Sequence, residues 1–178
     1  MTDDTRPDFT AAAELAEWGG WPALQELGEA ADPFEVSAAG IAWRPKDRHV
    51  GVHLAGRLVA HAGFVVAPVE VGGRRFEVAG IGGVLVSPRW RGHGLARAVV
   101  GAALDAARAD GLRFGLLFCL PDWAPLYARL GWTPLPGPVT ADQPDGPAPV
   151  PLGAMWIGLA PGARWPEGGA VRLHSLPF

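Results

Sequence analysis

Between residues 74 and 120 the hydrophobic pattern changes period twice, and this limits the folds open to the chain. RRFEVAGIGGVLVS, residues 74 to 87, reads as a long strand that ends at Pro88. From Gly92 to Ala109 the apolar residues Leu95, Val99, Ala102, Ala103 and Ala106 recur at helical spacing, and Gly111 stops the helix. LRFGLLFCL, residues 112 to 120, is then a nearly continuous apolar run, the pattern of a strand buried on both faces. A strand, a tight turn, a helix and a buried strand follow one another with almost no spare residues.

The flanking segments extend this outline. HVGVHL and LVAHAGFVV, joined by AGR, read as a hairpin, and Gly72-Gly73 makes the next turn. Upstream, FTAAAELAEW and PALQELGEAA read as two short helices separated by GGWP, after a loose tail at residues 1–8, while 32–48 is irregular. Downstream, a short helix starts at Pro121-Asp122 with Asp122 as N-cap and ends at Gly131. Residues 133–152 carry seven prolines and read as a long, stiff loop. GAMWIGLA is a last strand, and VRLHSLPF ends the sequence. The expected fold is therefore an α/β (α+β) mixture with a partly antiparallel sheet. At 178 residues, 49% hydrophobic and 19% charged, the protein is expected to form one globular domain over 1–178.

Composition removes several functions. The net charge of −3 and pI near 5.9 give no support to a nucleic-acid partner. Cys119 is the only cysteine, so an intramolecular disulfide or a cysteine-rich zinc cluster has no ligands, and no metal is expected. The acidic, polar start MTDDTRPDFT is unlike a signal peptide, and no apolar run approaches the roughly 20 residues of a membrane span, so a cytoplasmic protein without a membrane partner is expected.

The turn itself, SPRWRGHGLA, concentrates two glycines and two arginines where a helix begins. A helix start offers unpaired N–H groups and a positive dipole end, and glycine lets a ligand approach the backbone closely. Arg89, Arg91 and Arg97 add forked cationic donors. The turn thus reads as a phosphate site. A P-loop is excluded, because Lys46 is the only lysine present. The dinucleotide fingerprint starts with Gly92 and Gly94 but meets Arg97 where a small residue must pack.

Arg89-x-x-Gly92-x-Gly94, the strand before it, the helix after it, LRFGLLFCL and APLYARLGW together resemble the GNAT N-acetyltransferases over residues 48–135. That resemblance implies a mixed, largely antiparallel sheet flanked by helices, with a splayed central strand pair, and acetyl-CoA as co-substrate. Its pyrophosphate would lie on the backbone of Arg91, Gly92, His93, Gly94, Leu95 and Ala96, near Arg89, and its pantetheine arm along Val84, Leu85 and Val86. The segment from Arg57 to Ala96, with LYARLGW, looks most like the aminoglycoside 2′-N-acetyltransferases. That branch carries an acidic residue at the strand position aligned with Gly82, and another near its C-terminus; VRLHSLPF has none.

Amine acetylation needs a neutral nucleophile, an oxyanion donor and a proton for the departing thiolate. Tyr127, the only tyrosine, matches the family's general acid. Leu126 and Leu130 are four apart and are expected to face the core, turning Tyr127 elsewhere. The oxyanion donor is expected to be a backbone N–H near Val84, in a strand whose Gly80, Gly82 and Gly83 suggest a bulge or a close backbone approach. For the base the candidates are His61, His53, Glu77, Glu35 and, by the resemblance, the terminal carboxylate of Phe178; an ordered water is the alternative. Glu35, Gly82 and Cys119 are placed on the acceptor side, with Asp32, Asp142 and Asp145 as attractors of a cationic amine and Trp21, Trp43, Trp123 and Trp156 as candidate pocket walls. Each of these residues has a structural reading as well, Cys119 as plain packing. The expected activity is acetyl transfer to a small-molecule primary amine. A protein or peptide N-acetyltransferase and a silent acyl-CoA-binding module are the alternatives, and a homodimer is left open.

Overall fold

A computed structural model describes residues 13–16, 27 and 39–178. The described residues form one mixed sheet with two helices. The strands are β1 (Ala13–Ala16), β2 (Arg48–Leu54), β3 (Arg57–Val71), β4 (Arg74–Val86), β5 (Phe114–Cys119), β6 (Thr133–Pro134), β7 (Val139–Ala141), β8 (Ala148–Pro149), β9 (Gly153–Gly158) and β10 (Val171–Leu173); the helices are α1 (Leu95–Ala109) and α2 (Ala124–Arg129).

The β2–β3–β4 meander is built by turn chemistry. Ala55-Gly56 and Gly72-Gly73 all have positive φ, the geometry of tight hairpin turns. β4 is antiparallel to β3 over its full length, and β5 returns parallel to β4 after the α1 crossover. β9 closes the other side of β5, and β10 pairs with the far end of β3. α1 ends as expected, with Gly111 at φ +80 and Leu112 N–H donating to the Ala107 carbonyl at 3.1 Å.

The sheet separates two cores. Leu95, Ala98, Val99 and Ala103 of α1 pack with Phe64, Ala79, Ile81 and Leu117 on one face. Val65, Val78, Phe114, Leu116, Leu173 and Phe178 pack on the other. Each fully buried Val, Leu or Phe contributes roughly 1.5–3 kcal/mol, so neighbouring residues of β4 that point to opposite cores fix its register firmly.

Four expectations need correction. Ala13–Ala16, read above as helical, is a strand antiparallel to β2; the open edge of β2 outweighs the modest helix preference of Ala, Glu and Leu. Residues 133–152 are not a plain loop: β6 pairs with β9, β7 lies parallel to β10 and β8 caps β7, with Pro134 and Pro149 inside these short strands and the other five prolines in the connections. Pro121–Trp123 is a 3-10 turn in which Asp122 makes no capping bond, and α2 starts after it. On α2 the buried residue is Tyr127, with Leu126 and Leu130 only partly covered, because β5 delivers the helix with its tyrosine turned inward. PALQELGEAA, the 1–8 tail, Trp21, Asp32 and Glu35 lie outside the described residues, Leu27 apart.

Candidate active site

β4 and β5 are hydrogen-bonded only from Ala79–Ile81 to Gly115–Leu117. Past Ile81 the strands part, and Gly83 (φ +60) and Val84 form a bulge opposite Ala62, since His61 pairs with Leu85 and Gly63 with Gly82. The result is a wedge between β4 and β5 that opens on the α1 face.

On the α1 face the wedge continues into a cavity of about 360 Å³, walled by Val84 and Val86 of β4, Trp90 to Gly92 and Gly94 of the turn, Leu95 to Arg97 of α1, and Trp123, Leu126, Tyr127, Arg129 and Leu130. Gly92 (φ +80) and Gly94 (φ +82) are left-handed, and a Cβ on either would meet only open space. The first helical bond runs from Ala98 N–H to the Gly94 carbonyl at 3.1 Å, so the N–H groups of Leu95, Ala96 and Arg97 precede the helical ladder. With Arg91, Arg97 and Arg129 around it, this end of the cavity suits a diphosphate. The side chains of three residues predicted for the cofactor are engaged elsewhere. The Arg89 guanidinium lies over the Trp90 ring at 5.8 Å, His93 Nδ1–H donates to the Arg91 carbonyl at 3.0 Å, and Leu85 packs with Leu27 and Leu58.

Tyr127 closes the inner end of the cavity. Burial first, and then the nearby Cys119 thiol, push its hydroxyl well above the usual tyrosine range, so it keeps its proton at neutral pH. Cys119, raised by burial, lies 3.9 Å from Met155 Sδ as a packed thiol.

On the opposite face, Gly63 of β3 and Gly82 and Gly80 of β4 form a trough. A Cβ on Gly63 would lie 2.5 Å from Lys46 Cγ; one on Gly82 would lie 2.6 Å from Lys46 Cε and 2.9 Å from the carbonyl carbon of Phe178; one on Gly80 would strike the Phe178 ring at 2.4 Å. Arg44 N–H donates to the Pro177 carbonyl at 2.7 Å, and the Phe178 ring lies 5.4 Å from Phe118, which holds this packing in place. Gly82 is therefore a glycine because other groups fill the volume that a larger residue would need. Burial and the Arg44 charge pull the Lys46 ammonium down to a pKa of about 8, with Asp47 opposing.

His61 is 1% exposed between two partners, Gly83 O at 2.7 Å and His49 Nδ1 at 2.9 Å. Burial lowers its pKa to about 4 against the Gly83 carbonyl, with the His49 and Lys46 charges adding to the fall. A depressed folded-state pKa means that the unfolded protein binds the proton more readily. The stabilisation is complete above pH 6.5 and is lost as the pH drops towards 4. It amounts to roughly 3 kcal/mol at most. The melting temperature should decline over that window, and less so in His61→Asn; equal pH profiles for the two proteins would contradict the buried neutral ring.

Other candidates are dispersed. His53 and Glu77 are exposed, Asp142 pairs with Arg172 at 3.0 Å, and Asp145 borders a separate hollow beside Gly40. Trp156 and Trp43 belong to the core opposite α1, while Trp123 does line the cavity. Lys46, His49 and Arg129 join the site without any motif to mark them; being the one lysine of the sequence is the only signal that Lys46 carries. Among the described residues no three His, Cys, Asp or Glu groups gather to hold a metal, and no helix is long and apolar enough to cross a membrane.

Residues 31–135 match the family model of the acetyltransferase (GNAT) domain. The chain belongs to the GNAT acetyltransferase family. It is, accordingly, an acetyl-CoA-dependent N-acetyltransferase. Solved GNAT structures have the same fold. A GNAT-family N-acetyltransferase from Escherichia coli, in complex with CoA, superposes with TM-score 0.63 at 20% identity, over 91% of this chain and 88% of its own. A GNAT acetyltransferase from Brucella melitensis in complex with acetyl-CoA gives 0.55 at 20% identity over 91% and 96%. The ribosomal-protein-S18-alanine N-acetyltransferase from Escherichia coli gives 0.56 at 18% over 83% and 93%.

Proposed function

We propose that this GNAT enzyme transfers the acetyl group of acetyl-CoA directly to a primary amine of a small molecule, aminoglycosides included among the candidates. The observation that carries this reading is the wedge where β4 and β5 part. A cationic, glycine-edged cavity enters from the α1 face, and a trough floored by Gly63, Gly80 and Gly82 lies behind the same bulge. In this reading the diphosphate rests on the N–H groups of Leu95 to Arg97, with Gly92 and Gly94 allowing the approach. Val84 N–H receives the oxyanion. The amine nitrogen bonds to the thioester carbon, the C–S bond breaks, and Tyr127 hands its phenolic proton to the sulfur.

For the amine's proton, a free carboxylate on Phe178 is the proposed acceptor. It would stand in the volume that a larger residue at position 82 would fill, which is the support for it. Cys119 contributes packing beneath Tyr127 rather than a covalent step. Small molecules are favoured over peptides because Lys46 and the Phe178 ring narrow the trough from two sides.

The test is release of free thiol from acetyl-CoA against a panel of aminoglycosides, polyamines, amino acids and peptides. Turnover with a small amine is expected. Turnover with peptides alone overturns the acceptor class, and coenzyme A binding without any turnover overturns the transfer. Two glycines appended after Phe178 should abolish turnover while leaving coenzyme A binding intact; undiminished turnover removes the Phe178 carboxylate from the reaction.

A further inference from the structure

We propose that His61 is a positioning residue that aims the Val84 N–H into the cleft by holding the Gly83–Val84 peptide plane from behind. This rests on the acetyl-transfer reading, in which that N–H receives the developing oxyanion.

The Gly83 carbonyl can only accept, so His61 Nδ1 carries the proton across the 2.7 Å separation. The neutral ring then leaves Nε2 bare, and His49 Nδ1–H donates to it at 2.9 Å. Both nitrogens of His61 are thereby engaged, and the residue is sealed from solvent. Such a ring does not collect a proton from an acceptor amine. It holds a carbonyl.

No peptide bond among the described residues is cis. In a trans peptide the N–H is antiparallel to the C=O of the same plane. The Gly83 carbonyl is turned toward His61, so the Val84 N–H is directed away from it, and Val84 itself walls the cleft. Gly83 sits in the left-handed region at φ +60 with no Cβ of its own. Glycine reorients at little cost, so a glycine-edged bulge does not fix the direction of that plane by itself. A buried donor behind the carbonyl supplies the missing restraint, and a carbonyl that accepts a strong hydrogen bond also makes the amide on its other side a better donor.

The test compares three variants. His61→Asn places an amide N–H near the position of Nδ1 and should keep the bond to Gly83. His61→Leu has similar bulk and no donor. His61→Gln retains a polar group toward His49 but not toward Gly83, and stands in should His61→Leu fail to fold. We expect kcat to fall by about 10- to 100-fold in His61→Leu and His61→Gln, a share of the loss caused by deleting an oxyanion donor. His61→Asn should stay within a few-fold of wild type, and KM for acetyl-CoA should hold in all three. Equal losses in His61→Asn and His61→Leu, or no loss in either, overturn the proposal.

A second readout does not require turnover. In 15N-labelled protein the Val84 amide resonance should match wild type in His61→Asn and shift in His61→Leu and His61→Gln. If the wild type acetylates nothing on the panel, the transfer reading fails on its own. An unmoved Val84 resonance in both donor-less variants is what overturns the hold itself.

Discussion

Tyr127→Phe should lower kcat by about 100- to 10,000-fold, the range expected when a positioned general acid is lost. The affinity for coenzyme A should change less than about twofold, because the phenyl ring keeps the packing of the tyrosine. That residue is only 7% exposed and stacks edge-on to Trp132 at 6.3 Å, so the fold loses nothing but an oxygen. In the proposed reaction the departing thiolate then has no proton source. Burial and the Cys119 thiol hold the wild-type hydroxyl above the usual tyrosine range, so the group stays protonated through neutral and moderately alkaline pH. Steady-state kinetics with a saturating amine, alongside a coenzyme A titration, separates the two effects. Unchanged kcat removes Tyr127 from the chemistry; a matching loss of coenzyme A affinity makes it a binding residue instead.

The site is legible in the sequence wherever a pattern repeats or breaks. The change of period at Pro88 and Gly92 marks the strand–turn–helix junction, and Gly72-Gly73 and Gly111 mark a hairpin and a helix end, because only a few residue types tolerate those dihedrals. The glycines of β4 announce the bulge. What they do not announce is their occupants. Lys46 and Phe178 reach the trough from segments 36 and 96 positions away from Gly82, and no local pattern encodes a meeting between such distant residues. The same holds for His49, which becomes the partner of His61 only through the β2–β3 register. The orientation of α2 escapes a sequence reading for a related reason. A helix of six residues has too few turns for its apolar positions to declare a face, and the direction from which β5 delivers it decides. The short strand Ala13–Ala16 likewise owes its state to the unfilled edge of β2, not to its own composition.

Gly94→Ala addresses the junction directly. Gly94 is the N-cap of α1 at φ +82, and a Cβ there meets no protein atom within 4 Å. The substitution therefore costs the protein only the left-handed strain of an alanine, about 1–2 kcal/mol. Gly94 lines the cavity, so the added methyl takes room that a diphosphate on the N–H groups of Leu95 to Arg97 would need. Affinity for coenzyme A should fall at least about tenfold while the melting temperature moves by a few degrees.

The decisive experiment is calorimetric titration of coenzyme A into the wild type and Gly94→Ala under identical conditions. Saturable heat with one coenzyme A per protein molecule, weakened by about tenfold or more by the added methyl, is the predicted result. A wild type that gives no heat, or a variant that binds as tightly, would mean that the diphosphate does not rest on the opening turn of α1.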